Sequence, residues 1–309
     1  MKEGTTYIGL DAHKKAIQVC LLRSNREEPL EWQVANEAGA VRRMAKKILK
    51  ESQGEVLSCY EAGPCGYALQ RQLQEAGVAC QVIAPSLIPV KPGDRIKTDK
   101  RDARKLAELL RANLLTEVHP PNAEEEAVRD LVRCREDAKE DLLRCRHRLA
   151  KMLLRRGFAW QHKGWTLKHK QWIRTLQFDH PADQAMFGDY LLAIEQIDER
   201  IRTLEAKIEA LAQRDPYREP VAWLRCFRGI DTTTAMTIVA ELHDFSRFHS
   251  PRELMAYLGL VPSEYSSSER GSRAPSPRPA TLTSAAFWSK PRGTTAIRSP
   301  SARSSASDE

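Results

Sequence analysis

The sequence has few of the features that mark disulfide-rich, zinc-binding or membrane proteins. Its 309 residues include seven cysteines, an odd number, and none of them forms a C-x-x-C pair. This argues against a disulfide framework or a zinc knuckle. No apolar run approaches the roughly 20 residues that cross a bilayer, and a strand pattern begins almost at the N-terminus. We therefore expect a cytoplasmic protein with no membrane partner.

Acidic residues are outnumbered, with 41 Asp and Glu against 49 Lys and Arg and a formal net charge of +8. The basic residues are clustered, which favours a nucleic-acid partner. The chain is long enough for two domains, and a hydrophobic fraction of 41% is sufficient for ordinary cores.

Two acids open a predicted helix in the segment 97–111. Asp99 and Asp102 are three residues apart and face the same way, which is suitable geometry for a metal site. Acids in a first helical turn also complement the helix dipole, so an ordinary solvated helix face is the alternative. Further acids elsewhere in the chain are needed to favour a metal site over this alternative. Basic residues surround this turn and are suited to phosphate: Lys91, Arg95, Lys97, Lys100, Arg101, Arg104 and Lys105.

The first hundred residues supply two further acids at strand ends. The patterns predict a hairpin of strands 6–11 and 16–22, a polar loop as far as Glu37, and further strands over 55–60 and 78–84. Asp11 ends the first strand and Glu61 follows the third. An acid at the end of a buried strand costs free energy unless it is paired or binds a metal. Taken singly, Asp11 is also compatible with a turn acid and Glu61 with a neighbour of a helix cap.

Together the four acids predict a site for two Mg²⁺ ions about 3.5–4 Å apart, which would clamp the oxygens of a phosphodiester. Actin-like ATPases use a related fold but require a glycine-rich phosphate turn after the first-strand acid. The residues after Asp11 are Ala-His-Lys-Lys, which provide no such turn.

Three blocks of sequence carry a family resemblance: YIGLDAHK at 7–14, YEAGP at 60–64 and KTDKRDA at 97–103. They resemble the catalytic blocks of the DEDD transposases of bacterial insertion sequences, the IS-110 type, which have Piv-like invertases as relatives. The resemblance implies an α/β RuvC-like (ribonuclease-H-like) N-terminal domain over residues 1–120. It also implies that Asp11, Glu61, Asp99 and Asp102 are the catalytic metal ligands.

The middle of the chain, residues 121–215, is predicted to be a helical coiled-coil insert. Two charged helices, near 122–156 and 183–213, carry apolar stripes close to a heptad spacing. They are expected to pair as a hairpin or across a dimer, with an ordinary helical bundle as the alternative. The segment 158–175 interleaves three tryptophans with lysines, which suits base stacking and phosphate binding as well as it suits a core. His162 and His169 are too isolated from other ligands to indicate zinc.

Residues 216–272 are predicted to form a small, mostly helical C-terminal domain. A glycine turn and a Thr-rich helix start at 229–234 are typical of helix-hairpin-helix elements that bind phosphate, and equally of an ordinary capped helix. The run 245–268 resembles the C-terminal domain of the same family, which implies a serine nucleophile after the LGLVP turn. We assign it to Ser267, with Ser266 and Ser268 as alternatives that physics alone does not separate.

Residues 273–309 lack periodicity and are predicted to be disordered. We hypothesise a frameshift near Arg273, because the family continues with a structured segment where this chain has an Arg/Pro/Ala/Ser mixture.

The resemblance implies a Mg²⁺-dependent transposase that cleaves and exchanges DNA strands. It further implies a homodimer or tetramer, a structured guide (bridge) RNA, and a place in the bacterial cytoplasm at the nucleoid. Alternatives are a RuvC-like junction endonuclease that uses metal-activated water, and an inactive nucleic-acid-binding remnant. The predicted nucleic-acid contacts are Lys14, Arg95, Lys97, Lys100, Arg101, Arg104, Lys163, Lys168, Gly229 and Thr232.

Overall fold

The computed structural model describes residues 4–23, 28–89, 98–258 and 260, together with the backbone at 264–265 and 272–273. The chain divides into two compact units, Met1–Pro121 and Asn122–Glu309. Across the described residues, no helix combines the length and the apolar character that crossing a bilayer requires.

Unit 1 is built on a six-stranded mixed sheet with the order β3-β2-β1-β4-β5-β6. The central strands β1, β4 and β5 run parallel, whereas β2, β3 and β6 are antiparallel to their neighbours. The strands are β1 (Thr6–Ala12), β2 (Ala16–Leu22), β3 (Leu30–Ala35), β4 (Val56–Glu61), β5 (Ala79–Ile83) and β6 (Glu117–Val118). The helices of this unit are α1 (Ala38–Glu51), α2 (Ala68–Glu75) and α3 (Asp99–Arg111).

The two faces of the sheet carry separate cores. Alternate residues such as Ile8, Leu10 and Tyr60 pack with α1 and α2 on one face. The intervening residues, among them Cys59 and Ile83, pack with α3 on the other. This alternation follows from the two-residue period of a strand. It also determines on which face of the sheet the side chains at the ends of β1 and β4 lie.

One prediction for this unit is wrong. The segment expected to be a polar loop contains β3, which pairs antiparallel with β2 along its whole length. Its apolar residues alternate with polar ones, as in an edge strand with one packed face, and Leu30, Trp32 and Val34 pack against the core. Glutamate and glutamine at the intervening positions conceal this pattern in the sequence.

Unit 2 is helical, and its main feature is an antiparallel pair of long helices, α4 (Ala123–Arg155) and α6 (Pro181–Ala212). A capping box begins α4, because Asn122 accepts the Glu125 N–H while the Glu125 carboxylate accepts the Asn122 N–H. On α6 the buried residues Phe187, Ile194, Ile201 and Ile208 recur every seven positions. Whether the pair is a true coiled coil stays a prediction.

Ion pairs link the two long helices on the flanks of their apolar seam. Arg156 binds Asp183, Arg146 reaches Asp198 and Arg135 contacts Glu205. The helices α5 (Leu167–Thr175), α7 (Arg218–Arg225), α8 (Thr232–Leu242) and α9 (Pro251–Tyr257) complete the unit. Of these, α7 and α8 share a core with the start of α4 and the end of α6.

Candidate metal centre and nucleic-acid contacts

Asp11 is the most enclosed of the four predicted acids. It lies one residue before the end of β1, where strand pairing with β2 continues to Ala12, and 18% of its side chain is exposed. Burial raises the pKa of Asp11; His13 partly offsets this increase, and the negative charges of Asp99 and Asp102 add to it. A carboxylate whose ionised form is disfavoured in this way is suited to bind a cation.

Asp99 and Asp102 reach the same edge because α3 lies directly on β1. An added Cβ at Gly9 would stand 2.0 Å from the carbonyl oxygen of Ala103 and 2.5 Å from the Ala107 nitrogen. Only glycine permits this approach. The helix begins at the edge, where the Thr98 side chain accepts the Arg101 N–H and thereby caps the turn that carries both acids.

His13 completes a compact group of possible ligands. Its Nε2 atom lies 3.1 Å from Asp11 Oδ2 and 3.6 Å from Asp99 Oδ1. Within the described part of the chain, one ligand atom each from Asp11, His13 and Asp99 come within 4.8 Å of one another. Sequence reasoning did not select His13, although it follows the strand-end acid by two residues inside the first motif. Carboxylate oxygens with an imidazole nitrogen form a donor set that suits divalent metals.

Glu61 lies at the same sheet edge but outside this group of three. The parallel register pairs Leu10 with Tyr60, so Asp11 and Glu61 follow at the next matching positions. Glu61 is also paired with Ile83, which packs on the α3 face. Both acids therefore belong to the face that α3 covers. Asp102 is half-buried one turn into α3 and is close enough to raise the pKa of Asp11.

The basic residues of unit 1 that are predicted to bind phosphate differ in their surroundings. Lys14 and Arg101 are exposed beside the acids. Lys100 and Arg104 instead contact Glu31 on β3, at 2.9 Å and 2.7 Å. Hydrogen bonds from both bases outweigh burial and lower the pKa of Glu31. Glu31, which sequence reasoning missed, thus ties α3 to the sheet. Arg95 and Lys97 lie outside the described residues.

The predicted contacts of unit 2 lie on loops and helix ends. Lys163 and Lys168 are exposed around the start of α5. Gly229 has a φ of +93° in the turn before α8, and Thr232 is the first residue of that helix. The Asp231 carboxylate accepts the Thr234 N–H at 2.7 Å, so part of the α8 N-terminus is already capped. Ser266, Ser267 and Ser268 lie outside the described residues.

The mixed sheet, with acids at the ends of its central strands and a helical second part, fits a ribonuclease-H-like domain of the DEDD class. Comparison with known families agrees. The model for the DEDD transposase domain of the IS110 type matches residues 8–157. A second model, described as transposase of the IS116/IS110/IS902 family, matches residues 222–285.

Similar proteins point to the same family. The transposase for insertion sequence element IS1533 of Leptospira borgpetersenii is 41% identical over 250 residues, which are 80% of this chain and 72% of that protein. A Sinorhizobium fredii protein named as a transposase, y4qE, is 38% identical over 270 residues, which are 86% of this chain and 66% of that protein. The chain belongs to the IS110 family of insertion-sequence transposases. Membership implies an enzyme of transposition that binds DNA and uses a divalent metal.

Proposed function

We propose that the chain cleaves and exchanges the DNA strands of an insertion sequence, with Mg²⁺ held by Asp11, Glu61, Asp99 and Asp102. The observation that carries the proposal is the meeting of the Asp11 and Asp99 carboxylates around His13 at the end of β1. The pKa of Asp11 is raised there by burial and by the neighbouring acids. Ionised carboxylates crowded together in this way are stabilised by a bound cation.

Two Mg²⁺ ions, when bound, would stabilise the charge on the attacking and leaving oxygens of a phosphodiester. Asp11, on β1, and Asp99, at the start of α3, would hold these ions. Glu61, from the adjacent strand, and Asp102 would complete the set. His13 would fix the orientation of the Asp11 carboxylate, while exposed Lys14 and Arg101 would hold the phosphates that flank the scissile bond.

Ser267 is proposed as the nucleophile. Its oxygen would form a bond to phosphorus and lose its proton, while the bond from phosphorus to one sugar oxygen breaks. That sugar oxygen takes up a proton and leaves as a hydroxyl group, so the DNA stays attached to the protein as a phosphoserine ester. Attack by a sugar hydroxyl of the exchanged strand would reverse these steps and release the serine. A serine hydroxyl is a weak nucleophile at neutral pH, which is why it requires the activating site.

A structured guide RNA and a homodimer or tetramer belong to the same proposal. In this arrangement the RNA pairs with donor and target DNA, and the helices α4 and α6 carry the contacts between subunits. Light scattering on purified protein, with and without the RNA that flanks the element, tests both expectations. A monomer under both conditions would reject the oligomer.

The decisive experiment combines purified protein with Mg²⁺, the flanking RNA and labelled donor and target DNA. We expect recombinant product and DNA trapped covalently on the protein. Both should be lost in Asp11→Ala, and trapping should be lost in Ser267→Ala. Full strand cleavage by Ser267→Ala would replace this mechanism with a junction endonuclease that uses water. Binding without cleavage under every condition would identify an inactive remnant.

A further inference from the structure

Unit 2 contains a cavity of about 280 Å³ where the end of α4 meets the segment before α5 and α5 itself. Its lining is aliphatic on the α4 side, with Leu149 and Leu153, and aromatic on the other, with Trp160, Trp165 and Trp172. Ligand pockets commonly occupy about 300–1,000 Å³. This cavity therefore suits one flat ring system and is too small for a dinucleotide cofactor.

The aromatic side of the cavity is a set of mutually contacting rings. The rings of Trp160 and Trp172 have centroids 5.2 Å apart, and His169 stacks on Trp172 at 5.6 Å with an interplanar angle of 18°. Trp165 and Trp172 also pack against the core between α4 and α6, which holds them in place. All three tryptophans are only half-buried, so part of their ring surface stays accessible to a planar ligand.

His169 holds this arrangement as a neutral ring. Its Nδ1 atom accepts the backbone N–H of Trp165 at 2.8 Å, and burial lowers its pKa. A neutral imidazole that accepts at Nδ1 carries its proton on Nε2. The hydrogen bond fixes Trp165, whose backbone has a φ of +63°, at the rim of the cavity. The rings are thus positioned by contacts within the protein, before any ligand is present.

The charge around the cavity identifies the class of ligand. Residues 142–178 contain ten Lys and Arg and no Asp or Glu. Arg146 lies over the Trp165 ring at 4.8 Å, and eight of the other nine basic residues are exposed, among them Lys151, Arg155, Lys163 and Lys168. A planar apolar ligand in such surroundings carries negative charge close to it. A nucleobase on its sugar-phosphate backbone has this combination.

We propose that this cavity takes one unpaired nucleobase, stacked on Trp160 and Trp172, while the exposed side chains of Lys151, Arg155, Lys163 and Lys168 hold the adjacent phosphates. The site is distinct from the acids of unit 1 and takes no part in bond breaking. It deepens the proposed function, on which it rests for the presence of a nucleic-acid ligand. The base comes from a single-stranded stretch of DNA or from a loop of RNA, and the chemistry of recognition is the same for both.

The test compares full-length protein with short single-stranded oligonucleotides that either are intact or lack one central base. Removing the base leaves every phosphate in place, so its effect isolates stacking from charge. We expect the wild-type protein to bind the abasic strand about 5- to 150-fold more weakly, the range that corresponds to 1–3 kcal/mol for one stacked base. DNA and RNA versions of both oligonucleotides identify the source of the base.

The variant Trp160→Ala should bind intact and abasic strands equally, and Trp160→Phe should retain most of the difference. The matched control is Trp223→Ala, because Trp223 is 65% exposed on α7 and is not among the residues that line the cavity. This control should bind as the wild type does. Weaker binding of the abasic strand than of the intact strand, in DNA, in RNA or in both, supports the proposal that the cavity binds a nucleobase. It also shows which nucleic acid supplies that nucleobase.

Equal binding of intact and abasic strands by the wild type, in both DNA and RNA, would overturn the proposal. So would a penalty that survives in Trp160→Ala. Circular dichroism verifies that each variant is folded, and Trp160→Phe provides a readout if the alanine variant is not. Failure of the proposed function is seen separately: Asp11→Ala should lose cleavage yet keep the abasic penalty, whereas an inactive wild type that shows the penalty would retain this inference alone.

Discussion

The acid cluster of unit 1 and the aromatic cavity of unit 2 are assembled in opposite ways. The acids come from β1, β4 and α3, which are separated along the chain and meet only through the sheet register and the packing of α3. The cavity is built almost entirely from the continuous stretch 149–173. The first site therefore depends on long-range packing, and a small local change can disperse it. The second depends on one helix end and the aromatic rings beside it, so a substitution there should affect the cavity alone.

The largest expected effect comes from Asp11→Asn in unit 1. The substitution keeps the shape of the side chain but removes its charge, so metal-dependent cleavage should fall by about 10²–10³-fold or more, because a catalytic metal supplies several kcal/mol. Cleavage of labelled DNA measures this. Cleavage within tenfold of the wild type would remove Asp11 from the site.

The same substitution should stabilise unit 1 when no metal is present. The folded-state pKa of Asp11 is raised, so the ionised carboxylate costs stability at a pH above that folded value. The cost is absent below the unfolded pKa of about 3.9. At pH 7 in a chelator, Asp11→Asn should melt at a higher temperature than the wild type, and the two should converge below pH 4. A divalent metal should stabilise the wild type more than Asp11→Asn, so that in its presence the wild type melts at the higher temperature.

Gly9→Ala should disturb unit 1 while leaving unit 2 intact. The new methyl group would meet the backbone of α3 at two atoms, so the helix must move, at a cost of about 3 kcal/mol. Urea unfolding measures this loss, and the acid cluster should bind metal more weakly as well.

The matched control for Gly9→Ala is Gly188→Ala on α6, where an added Cβ meets nothing within 4 Å. Alanine there should stabilise by about 0.5–1 kcal/mol, since glycine is a poor helix former. Similar effects at the two glycines would contradict the contrast between the units.

His13→Ala tests whether the third member of the compact group supports metal binding. Residues that orient metal ligands typically contribute about 10–100-fold to affinity, and we expect a loss in this range for Mn²⁺ by calorimetry. His147, on α4 in unit 2, offers the control variant His147→Ala, which should leave Mn²⁺ affinity unchanged. A loss confined to cleavage, with metal affinity preserved, would place His13 in another role.

The smallest effect is expected from Glu31→Gln, which weakens the link from β3 to α3. The lowered pKa of Glu31 means that its contribution is present above the unfolded value of about 4.3 and is lost as the pH falls through the lower folded value. Because Lys100 and Arg104 are largely exposed, the contribution at pH 7 should be only about 1 kcal/mol. Urea titrations at pH 7 and pH 3 should show that the difference disappears in acid.

Much of this arrangement could be predicted from the sequence because local patterns carry it. Strand periodicity predicted β1 and β2, and apolar stripes at helical spacing predicted α1, α4 and α6, with bounds that agree with the structure to within a few residues. Asp11 and Glu61 stand out because an acid at the end of a buried strand costs free energy unless it is paired or binds a metal. Asp99 and Asp102 stand out because they face the same way in the first turn of one helix. The family resemblance then linked these separate acids.

The remaining features depend on contacts between distant residues, which no local pattern reveals. The sequence predicts that Glu31 lies in a loop, whereas in the structure it lies on β3 and contacts α3. Only the packing of α3 against Gly9 brings Asp99 close to His13. The Trp165–His169 hydrogen bond likewise arises from a turn with an unusual backbone angle. The assignment of Ser267 as the nucleophile and the identity of the metal stay predictions.

The matched positions of Asp11 and Glu61 on neighbouring parallel strands have a consequence for how such a gene decays. A deletion of one codon within β1 would shift every later side chain of the strand to the opposite face. Asp11 would then point into the core that α1 and α2 cover, and Leu10 toward the acids. Natural selection on an active copy must therefore preserve the length of this strand as strictly as the identity of its aspartate.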